Sequence, residues 1–232
     1  MKILAICGSR RNDSRGLMFL EKLKSIMIKE ESISFEILTP NDYILNAVST
    51  GNKFFFTGKD NEDEYDDGLK IKSKIIDSDF LIINSPVYSL NVSSDIKVLI
   101  DRISPWSHIF KLLGKPGLTV TVGTGRGHLE VEAYLDHMFT SFGMNLLDNL
   151  TFVNNDAINN FNYENLMKRI IESYTKKDEF KIPLLLEMQY EEHKVLINRQ
   201  PKEYYEYKFW KESGLFDASS LQEYFDNRNL LT

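Results

Sequence analysis

The sequence predicts an α/β protein built on a parallel β-sheet. Short apolar runs rich in β-branched residues alternate with longer segments whose apolar residues recur every three or four positions. The run Phe80–Ile83 is apolar at every position, which is typical of a strand covered on both faces. Five strands that alternate with five helices imply a parallel sheet with right-handed crossovers.

The apolar periodicities place these elements in a regular order. The strands are predicted at residues 2–7, 33–38, 80–83, 118–122 and 146–153, and four of the helices at residues 16–29, 96–103, 129–142 and 163–174. Residues 39–64 form a long connection without clear periodicity. A further helix begins after Asp66 and Asp67, whose carboxylates are favourable near a helix N-terminus. The side chains expected to face inward on that helix are Leu69, Ile71, Ile75 and Ile76.

The order of the strands in the sheet decides where a ligand would bind. Two doubly wound arrangements are common, the dinucleotide-binding order and the order 2-1-3-4-5. In both, ligands bind beyond the carboxyl ends of the strands. A functional site is therefore expected in the loops that follow the first, third and fourth strands.

Composition and charge restrict the class of protein. The chain has 232 residues, which fits one large domain or one domain with a long appendage. Its net charge of −6 argues against a nucleic-acid or anionic-membrane binder, since such a protein needs a basic face. No apolar run approaches the ~20 residues of a membrane helix, and the apolar stretch at the N-terminus is too short for a signal peptide. We expect a cytoplasmic protein that binds neither nucleic acid nor membrane.

Cys7 is the only cysteine of the chain. A single cysteine excludes an internal disulfide framework and any four-cysteine metal or iron–sulfur site within one chain. Because Cys7 lies in an apolar run, it is predicted to be a small buried core residue rather than a reactive thiol.

The first loop, GSRRNDSRG at residues 8–16, has the composition of a phosphate site. It runs from a strand into a helix, whose N-terminus offers free N–H groups and the positive end of a dipole. Ser9 and Ser14 add hydroxyl donors, and three arginines add charge-assisted donors. Neither the P-loop pattern nor G-x-G-x-x-G is present, which argues against an ATPase and a classical dinucleotide site. The alternative is an ordinary capped loop with solvated arginines.

The loop after the third strand carries a family resemblance. Residues 85–102, SPVYSLNVSSDIKVLIDR, resemble the Ser-Pro-x-Tyr … Lys-x-x-x-Asp-Arg segment of the NAD(P)H-dependent FMN reductases and their multimeric-flavodoxin relatives. Residues 8–16 resemble the phosphate loop of the same family, and the two motifs follow in the expected order and spacing. The resemblance covers roughly residues 1–174. It implies a flavodoxin-like three-layer sandwich with strand order 2-1-3-4-5, formed by residues 1–175.

The resemblance implies a bound FMN, with backbone groups around residues 87–91 beside its ring. Pro86 lacks an N–H and cannot extend a strand ladder, so it is expected to leave neighbouring N–H groups free for a ligand. Lys97, Asp101 and Arg102 are expected to hold the following helix and a subunit contact. The expected cofactor-binding residues of the first and second loops are Ser9, Arg10, Arg11, Ser14, Arg15, Gly16, Ser85, Pro86, Val87, Tyr88, Ser89 and Asn91.

The loop after the fourth strand, residues 123–128, is rich in glycine. By itself it is equally consistent with a flexible turn. Beside the other two loops it is expected to form the third wall of the pocket, with Gly123, Thr124, Gly125, Arg126 and Gly127 in contact with the cofactor. Arg126 is placed to meet a nicotinamide-dinucleotide phosphate or reduced flavin. His128 is expected to start a helix rather than to catalyse.

Two regions depart from the family pattern. Residues 46–68 resemble the region where several relatives carry a Cys-x-x-Cys cluster, but here Val48, Ser49 and Phe55 occupy such positions. An iron–sulfur cluster needs thiolates, and this chain has none to offer there. Phe54–Phe56 is predicted to form an apolar lid, a dimer surface or a core-packed loop. In the first loop, Gly16 stands where a hydroxyl residue is common and Arg10 replaces a frequent proline.

Residues 176–232 form an extension rich in aromatic and charged residues. So many large aromatics argue against disorder. The extension is expected to pack on the core or on a partner subunit, where it could cover the flavin, or to form a solvated helix pair with a core-facing stripe.

The expected function is transfer of hydride from NADPH or NADH through FMN to a quinone-like, nitro, azo or specialised small-molecule acceptor, in a homodimer or homotetramer. No side chain is expected to act as a catalyst, because the cofactor carries the chemistry. The four histidines form no metal-ligand pattern. The alternatives are an electron-transfer flavodoxin-like module and a flavin-free binding or assembly protein.

Overall fold

The sheet has five parallel strands in the order 2-1-3-4-5. The computed structural model describes residues 1–48, 53–60 and 62–229. The strands are β1 (Lys2–Cys7), β2 (Ser34–Leu38), β3 (Phe80–Pro86), β4 (Pro116–Val122) and β5 (Asn145–Phe152). The helices of the α/β core are α1 (Arg15–Met27), α2 (Lys53–Thr57), α3 (Gly68–Asp77), α4 (Ser94–Ile103), α5 (His128–Ser141), α6 (Asn155–Asn159) and α7 (Tyr163–Thr175).

The side chains of β1 show how the sheet forms the middle of three layers. Ile3, Ala5 and Cys7 face the layer that contains α1 and α7, whereas Leu4 and Ile6 face the layer that contains α3, α4 and α5. Each set is almost fully removed from water, because both faces of a parallel sheet are covered by crossover helices. The predicted flavodoxin-like sandwich is therefore confirmed, and Cys7 is a buried core residue.

Two details of the central region differ from the sequence prediction. Strand β3 continues beyond Ile83 to Pro86, because Asn84 and Ser85 are buried in register with β4. On α3, Leu69 and Ile76 are exposed rather than inward, so that part of the prediction was wrong. The buried face of α3 instead includes Lys72, which a hydrophobic pattern cannot identify.

The charge of Lys72 is balanced by the long connection that precedes α3. Its ammonium group donates to Asp60 at 2.6 Å and to Asp63 at 2.9 Å. Arg102 on α4, only 1% exposed, binds Asp63 and lies 2.6 Å from Asp66. These ion pairs hold the connection between β2 and α3 against α3 and α4. This agrees with the expectation that Arg102 has a structural role. Ser49 lies outside the described residues.

The C-terminal extension packs on the α3–α4–α5 side of the core. Its helices are α8 (Leu184–Asn198), α9 (Tyr205–Ser213) and α10 (Leu221–Asn229). Tyr190, Trp210 and Phe225 join the same apolar cluster as Leu81 and Ile83 of β3. Phe54 belongs to that cluster too. Within the described parts of the chain, no helix has the length and apolar character that a bilayer crossing requires.

A buried polar cluster also joins the extension to the core. Glu206 on α9 is fully buried, and one of its oxygens lies 3.0 Å from Nδ1 of His108 in the turn after α4. Gln200 donates to the other oxygen at 3.1 Å. The ring of His193 on α8 lies 4.8 Å from the ring of His108. Burial, together with a smaller effect of the neighbouring His108, lowers the pKa of His193 from 6.5 to about 4.

We predict that this cluster makes the protein acid-sensitive. Because the pKa of His193 is lower in the folded state, its contribution to stability is complete above pH 6.5 and is lost as the pH falls towards 4. Thermal unfolding should show the wild type losing about 1–2 kcal/mol more than a His193→Leu variant over that interval, a figure discounted for the ring's partial exposure. Parallel pH curves for the two proteins would contradict the prediction.

Candidate functional site

The first loop is held directly against the start of α4. The N–H of Gly8 donates to the carbonyl of Asn84 at 2.7 Å, which continues the β1–β3 pairing by one residue. A Cβ on Gly8 would lie 2.4 Å from Ile96 and 2.5 Å from the hydroxyl of Ser93. Any larger residue would push the loop away from α4, so this position requires glycine.

The side chain of Asn84 connects the first loop to the middle of the sheet. It is fully buried, donates to the carbonyl of Val120 at 3.1 Å, and accepts from the thiol of Cys7 at 3.2 Å. A Cβ on Gly16 would lie 2.0 Å from its amide oxygen. The buried amide therefore fills the space that the hydroxyl residue common in the family would need, which explains the glycine.

The two serines of the loop fix its shape. Ser14 is the N-cap of α1 and accepts from the N–H of Leu17 at 3.3 Å. Ser9 is 4% exposed and accepts from the N–H of Arg11 at 3.3 Å. The first N–H groups of α1, on Arg15 and Gly16, have no acceptor among the described residues, as geometry dictates for the start of a helix. N–H groups at a helix N-terminus are suited to binding an anion.

The three arginines of the loop do not converge on one point. Arg11 pairs with Asp13 at 2.9 Å, and this pair lowers the pKa of the Asp13 carboxyl. Arg15 donates to the carbonyl of Val153 at 2.7 Å. Arg10 pairs with Asp95 on α4 at 2.7 Å and does not line the same cleft as the other two. Only two of the three arginines therefore lie beside the candidate phosphate position.

The loop after β3 begins inside the sheet. Pro86 pairs in register with Val122 and is the last residue of β3, rather than the first residue beyond it. The N–H of Val87 donates to the carbonyl of Val122 at 2.9 Å. Ser85 is fully buried, and its hydroxyl accepts from the N–H of Ser93 at 3.0 Å, so it positions the start of α4 and does not reach the cleft.

A tight turn follows. Tyr88 and Asn91 exchange backbone hydrogen bonds of 2.8 and 3.0 Å, and the two residues between them have positive φ angles of 49° (Ser89) and 64° (Leu90). This is a type I′-like hairpin turn, which normally uses glycine, asparagine or aspartate at both central positions. The Asn91 side chain accepts from the N–H of Val92 at 2.8 Å and therefore stabilises the turn. Tyr88 is half-exposed and lines the cleft.

The glycine-rich loop packs against this turn. Gly127 has a φ of 101°, and a Cβ there would lie 2.7 Å from Val87 and 2.9 Å from Leu90. A Cβ on Gly125, in contrast, would meet nothing within 4 Å. His128 starts α5, as predicted. The two glycines thus have different roles, close packing at Gly127 and a solvent-facing position at Gly125.

The three loops enclose a cleft of about 450 Å³ beyond the carboxyl ends of β1, β3 and β4. That volume lies within the ordinary range for small-molecule sites. The expected residues that line it are Ser9, Arg11, Ser14, Arg15, Gly16, Pro86, Val87, Tyr88, Gly123 and Thr124. The expected residues that do not line it are Arg10, Ser85, Ser89, Asn91, Gly125, Arg126 and Gly127.

Sequence reasoning missed four residues of the cleft. They are Asp13, Asn84, Val122 and Asn155. A polar residue that interrupts the apolar run of β3 was an available signal for Asn84, whereas Asn155 follows β5, whose loop was not expected to take part. The cleft has a polar end at the first loop and an aromatic and apolar wall at Val87 and Tyr88.

Comparison with known proteins identifies the family. The model of the NADPH-dependent FMN reductases matches residues 1–158, well over half of the chain. The chain belongs to this family. Its flavodoxin-like fold agrees with that membership.

Its relatives include two archaeal iron–sulfur flavoproteins. The chain is 38% identical to one from Archaeoglobus fulgidus over 80 residues, which are 34% of this chain and 36% of that protein. It is 34% identical to one from Methanocaldococcus jannaschii over 126 residues, which are 54% of this chain and 64% of that protein. The chain thus spans about a third of one relative and somewhat under two thirds of the other.

A solved structure confirms the fold. FerB, a flavoenzyme NAD(P)H:acceptor oxidoreductase from Paracoccus denitrificans, superimposes with a TM-score of 0.54 at 16% identity, over 76% of this chain and 98% of that chain.

The residues of this chain do not fit the iron–sulfur cluster named in those relatives. Four thiolates normally hold such a cluster, whereas this chain has only Cys7. Its thiol is buried in β1, bound to Asn84, and burial raises its pKa, which disfavours the thiolate. No step through a cluster is assigned to this enzyme.

We predict that the stability of the protein depends on the close packing of Gly16 against Asn84. Gly16→Ala should lower the free energy of unfolding by about 1–3 kcal/mol, because the new methyl group must displace a buried, hydrogen-bonded amide. Gly125→Ala is the matched control, since it adds the same methyl group in open space. Chemical denaturation of the two variants measures the difference. Equal decreases in the free energy of unfolding of the two variants would contradict the prediction.

Proposed function

We propose that the enzyme passes hydride from a nicotinamide cofactor to FMN, and from FMN to a second small-molecule acceptor of the quinone-like, nitro, azo or a more specialised class. The observation that carries this proposal is the cleft itself. Three loops join an anion-binding end to an aromatic wall, and the geometry of a flavin mononucleotide requires both in one site.

The polar end is suited to the flavin phosphate. The unpaired N–H groups at the start of α1 and the positive end of its dipole attract an anion. Arg11 and Arg15 add positive charge at the same end, and Ser9 holds the backbone of the loop in position. Because these groups are already fixed by the protein, little ordering is needed when the phosphate binds.

The other end of the cleft is suited to the flavin ring. Val87 and Tyr88 offer an apolar and aromatic wall from the loop after β3, and Gly123 and Thr124 offer the opposing loop after β4. The contact of Gly127 with Val87 and Leu90 joins the two loops, so the width of the cleft is fixed. Ser89, Asn91, Gly125 and Arg126 lie outside the lining, and we propose that they act by shaping the loops.

FMN supplies the redox chemistry when it is bound. The contributions of the chain are to hold the phosphate, orient the ring and keep one side of the cleft accessible to successive substrates. Tyr88, which is 52% exposed, lies at that accessible side. A single space for donor and acceptor leads to ping-pong kinetics.

We also propose a cytoplasmic homodimer or homotetramer that binds neither nucleic acid nor membrane. Exposed apolar residues on α8 support the oligomer, since Leu184, Leu185 and Met188 are 76%, 55% and 61% exposed. The net charge of −6 supports the absence of a nucleic-acid partner.

The reaction predicts a distinct optical signature. The purified protein should carry or take up one FMN and be yellow, and anaerobic NADH or NADPH should bleach it, because transfer of a hydride (a proton with two electrons) oxidises the nicotinamide and reduces the flavin. Stopped-flow absorbance measures this. A yellow protein that neither donor bleaches would indicate an electron-transfer module instead, and a protein that never takes up FMN would indicate a flavin-free binding or assembly role.

The polar end of the cleft can be tested separately. Combined Ser9→Ala and Arg11→Ala substitutions should weaken FMN binding about tenfold, the value of one lost charged hydrogen bond. Lys29→Gln, beyond the opposite end of α1, is the control for the change in net charge and should leave the affinity as it is. Isothermal titration of the flavin-stripped proteins measures both. An unchanged affinity in the double variant would remove the phosphate assignment.

A further inference from the structure

The polar end of the cleft contains a negative charge of its own. The charged side chains among the described residues that line the cleft are Arg11, Arg15 and Asp13. Two positive charges and one negative charge leave a net charge of +1. A phosphate monoester carries about −1.5 to −2 at pH 7. The side chains at this end therefore compensate only part of the charge of a flavin phosphate, and Asp13 is the cause of the deficit.

Asp13 is held at this end by the turn that leads into α1. The carbonyl of Arg11 accepts from the N–H of Ser14 at 3.2 Å, and this turn brings the side chains of Arg11 and Asp13 together. Nε of Arg11 donates to one carboxylate oxygen at 3.0 Å, and a terminal nitrogen donates to the other at 2.9 Å. Arg11 lowers the pKa of the Asp13 carboxyl, so Asp13 stays ionised at neutral pH.

The ion pair occupies the edge of Arg11 that best matches a phosphate. A guanidinium group binds an oxyanion most strongly through two parallel N–H bonds, and Asp13 already accepts two such bonds. Arg15 is engaged in part as well, because one of its terminal nitrogens donates to the carbonyl of Val153. A phosphate that binds here must share Arg11 with the carboxylate or displace it. Either course weakens the binding of the phosphate.

The exposure of the pair makes its effect dependent on salt. The side chains of Arg11 and Asp13 are 72% and 75% exposed. Salt screens exposed charges over a distance of about 10 Å at an ionic strength of about 0.1 M and about 30 Å at about 0.01 M. The repulsion between Asp13 and a phosphate is therefore expected to be larger at low ionic strength.

Riboflavin provides the comparison that isolates this repulsion. It has the ring and the ribityl chain of FMN but no phosphate. In the proposed function its contacts are with the wall at Val87 and Tyr88 and with the loop after β4, none of which carries a charge that pairs with Asp13. Asp13 therefore acts on the binding of FMN and not on the binding of riboflavin.

We propose that Asp13 is a specificity-determining residue of the flavin site, whose carboxylate limits the preference of the site for FMN over riboflavin. The carboxylate competes with the phosphate for Arg11 and repels it directly. A neutral residue of the same size removes both effects. The proposal rests on the proposed function for the identity of the flavin and for the position of its phosphate.

The test is the affinity of an Asp13→Asn variant for the two flavins. Titration of the flavin-stripped protein, followed by flavin fluorescence, measures the Kd of FMN and of riboflavin. At an ionic strength of about 0.01 M, the variant should bind FMN roughly fivefold more tightly than the wild type does, because one unit charge near the phosphate is removed. The gain should shrink at about 0.15 M. The affinity for riboflavin should stay the same.

Two further variants serve as controls. Asp178→Asn removes the same charge from an exposed residue beside the start of β4, at the amino edge of the sheet, and should leave both affinities unchanged. Asp13→Glu keeps the charge and should keep the ratio of the two affinities close to that of the wild type. A shift of the FMN affinity in Asp178→Asn as large as that in Asp13→Asn would assign the effect to net charge and overturn the proposal.

The two flavins separate the ways in which the proposal can fail. An FMN affinity that is unchanged or lower in Asp13→Asn would show that Asp13 orients Arg11 for the phosphate rather than competing with it. Equal gains for FMN and riboflavin would indicate a change in the shape of the loop. Either result overturns the role of Asp13 but leaves the flavin site in place, whereas a wild-type protein that binds neither flavin would overturn the proposed function itself.

Discussion

The buried amide of Asn84 is the constraint on which the site depends. It lies in the central strand, donates to β4, accepts from β1 and leaves room only for a glycine at the start of α1. One uncharged side chain therefore sets the relative position of the first loop and of β3 and β4, whose loops line the other end of the cleft. A polar group at this depth is stable because its donor and acceptor are both used. The hydrogen bonds that stabilise the buried amide are also the contacts that fix the position of the first loop.

The fold could be predicted from the sequence because the five strands and the five longer helices between and after them each have an apolar run or an apolar period, whereas the short helices α2 and α6 were not predicted. The general location of the site also followed, since three loops at the carboxyl edge of a parallel sheet must lie near one another. The prediction was less accurate where the orientation of a side chain depends on a partner that is distant in the sequence. Lys72 can be buried on α3 because Asp60 and Asp63 balance its charge, whereas Leu69 on the same helix is exposed.

Individual ligand residues were harder to predict than the loops that carry them. Arg10 and Arg11 are adjacent and chemically identical, yet Arg10 pairs with Asp95 outside the cleft, whereas Arg11 pairs with Asp13 and lines it. No local sequence pattern distinguishes them. The extension illustrates the same limit, because its aromatic residues could have covered the cleft or the helical layer. Nε1 of Trp210 donates to the carbonyl of His108 at 2.8 Å, so the aromatic residues of the extension cover the helical layer.

The turn at Ser89 and Leu90 has an energetic consequence. A left-handed conformation costs an ordinary L-residue about 1–2 kcal/mol, a penalty that glycine does not incur. Leu90 is 52% exposed, so burial of its side chain recovers only part of that cost. The hairpin therefore presents an apolar side chain to solvent, next to Tyr88, at a conformational cost that glycine would remove. Its shape is maintained by the hydrogen bonds between Tyr88 and Asn91 and by its packing against Gly127, not by the intrinsic preference of Leu90.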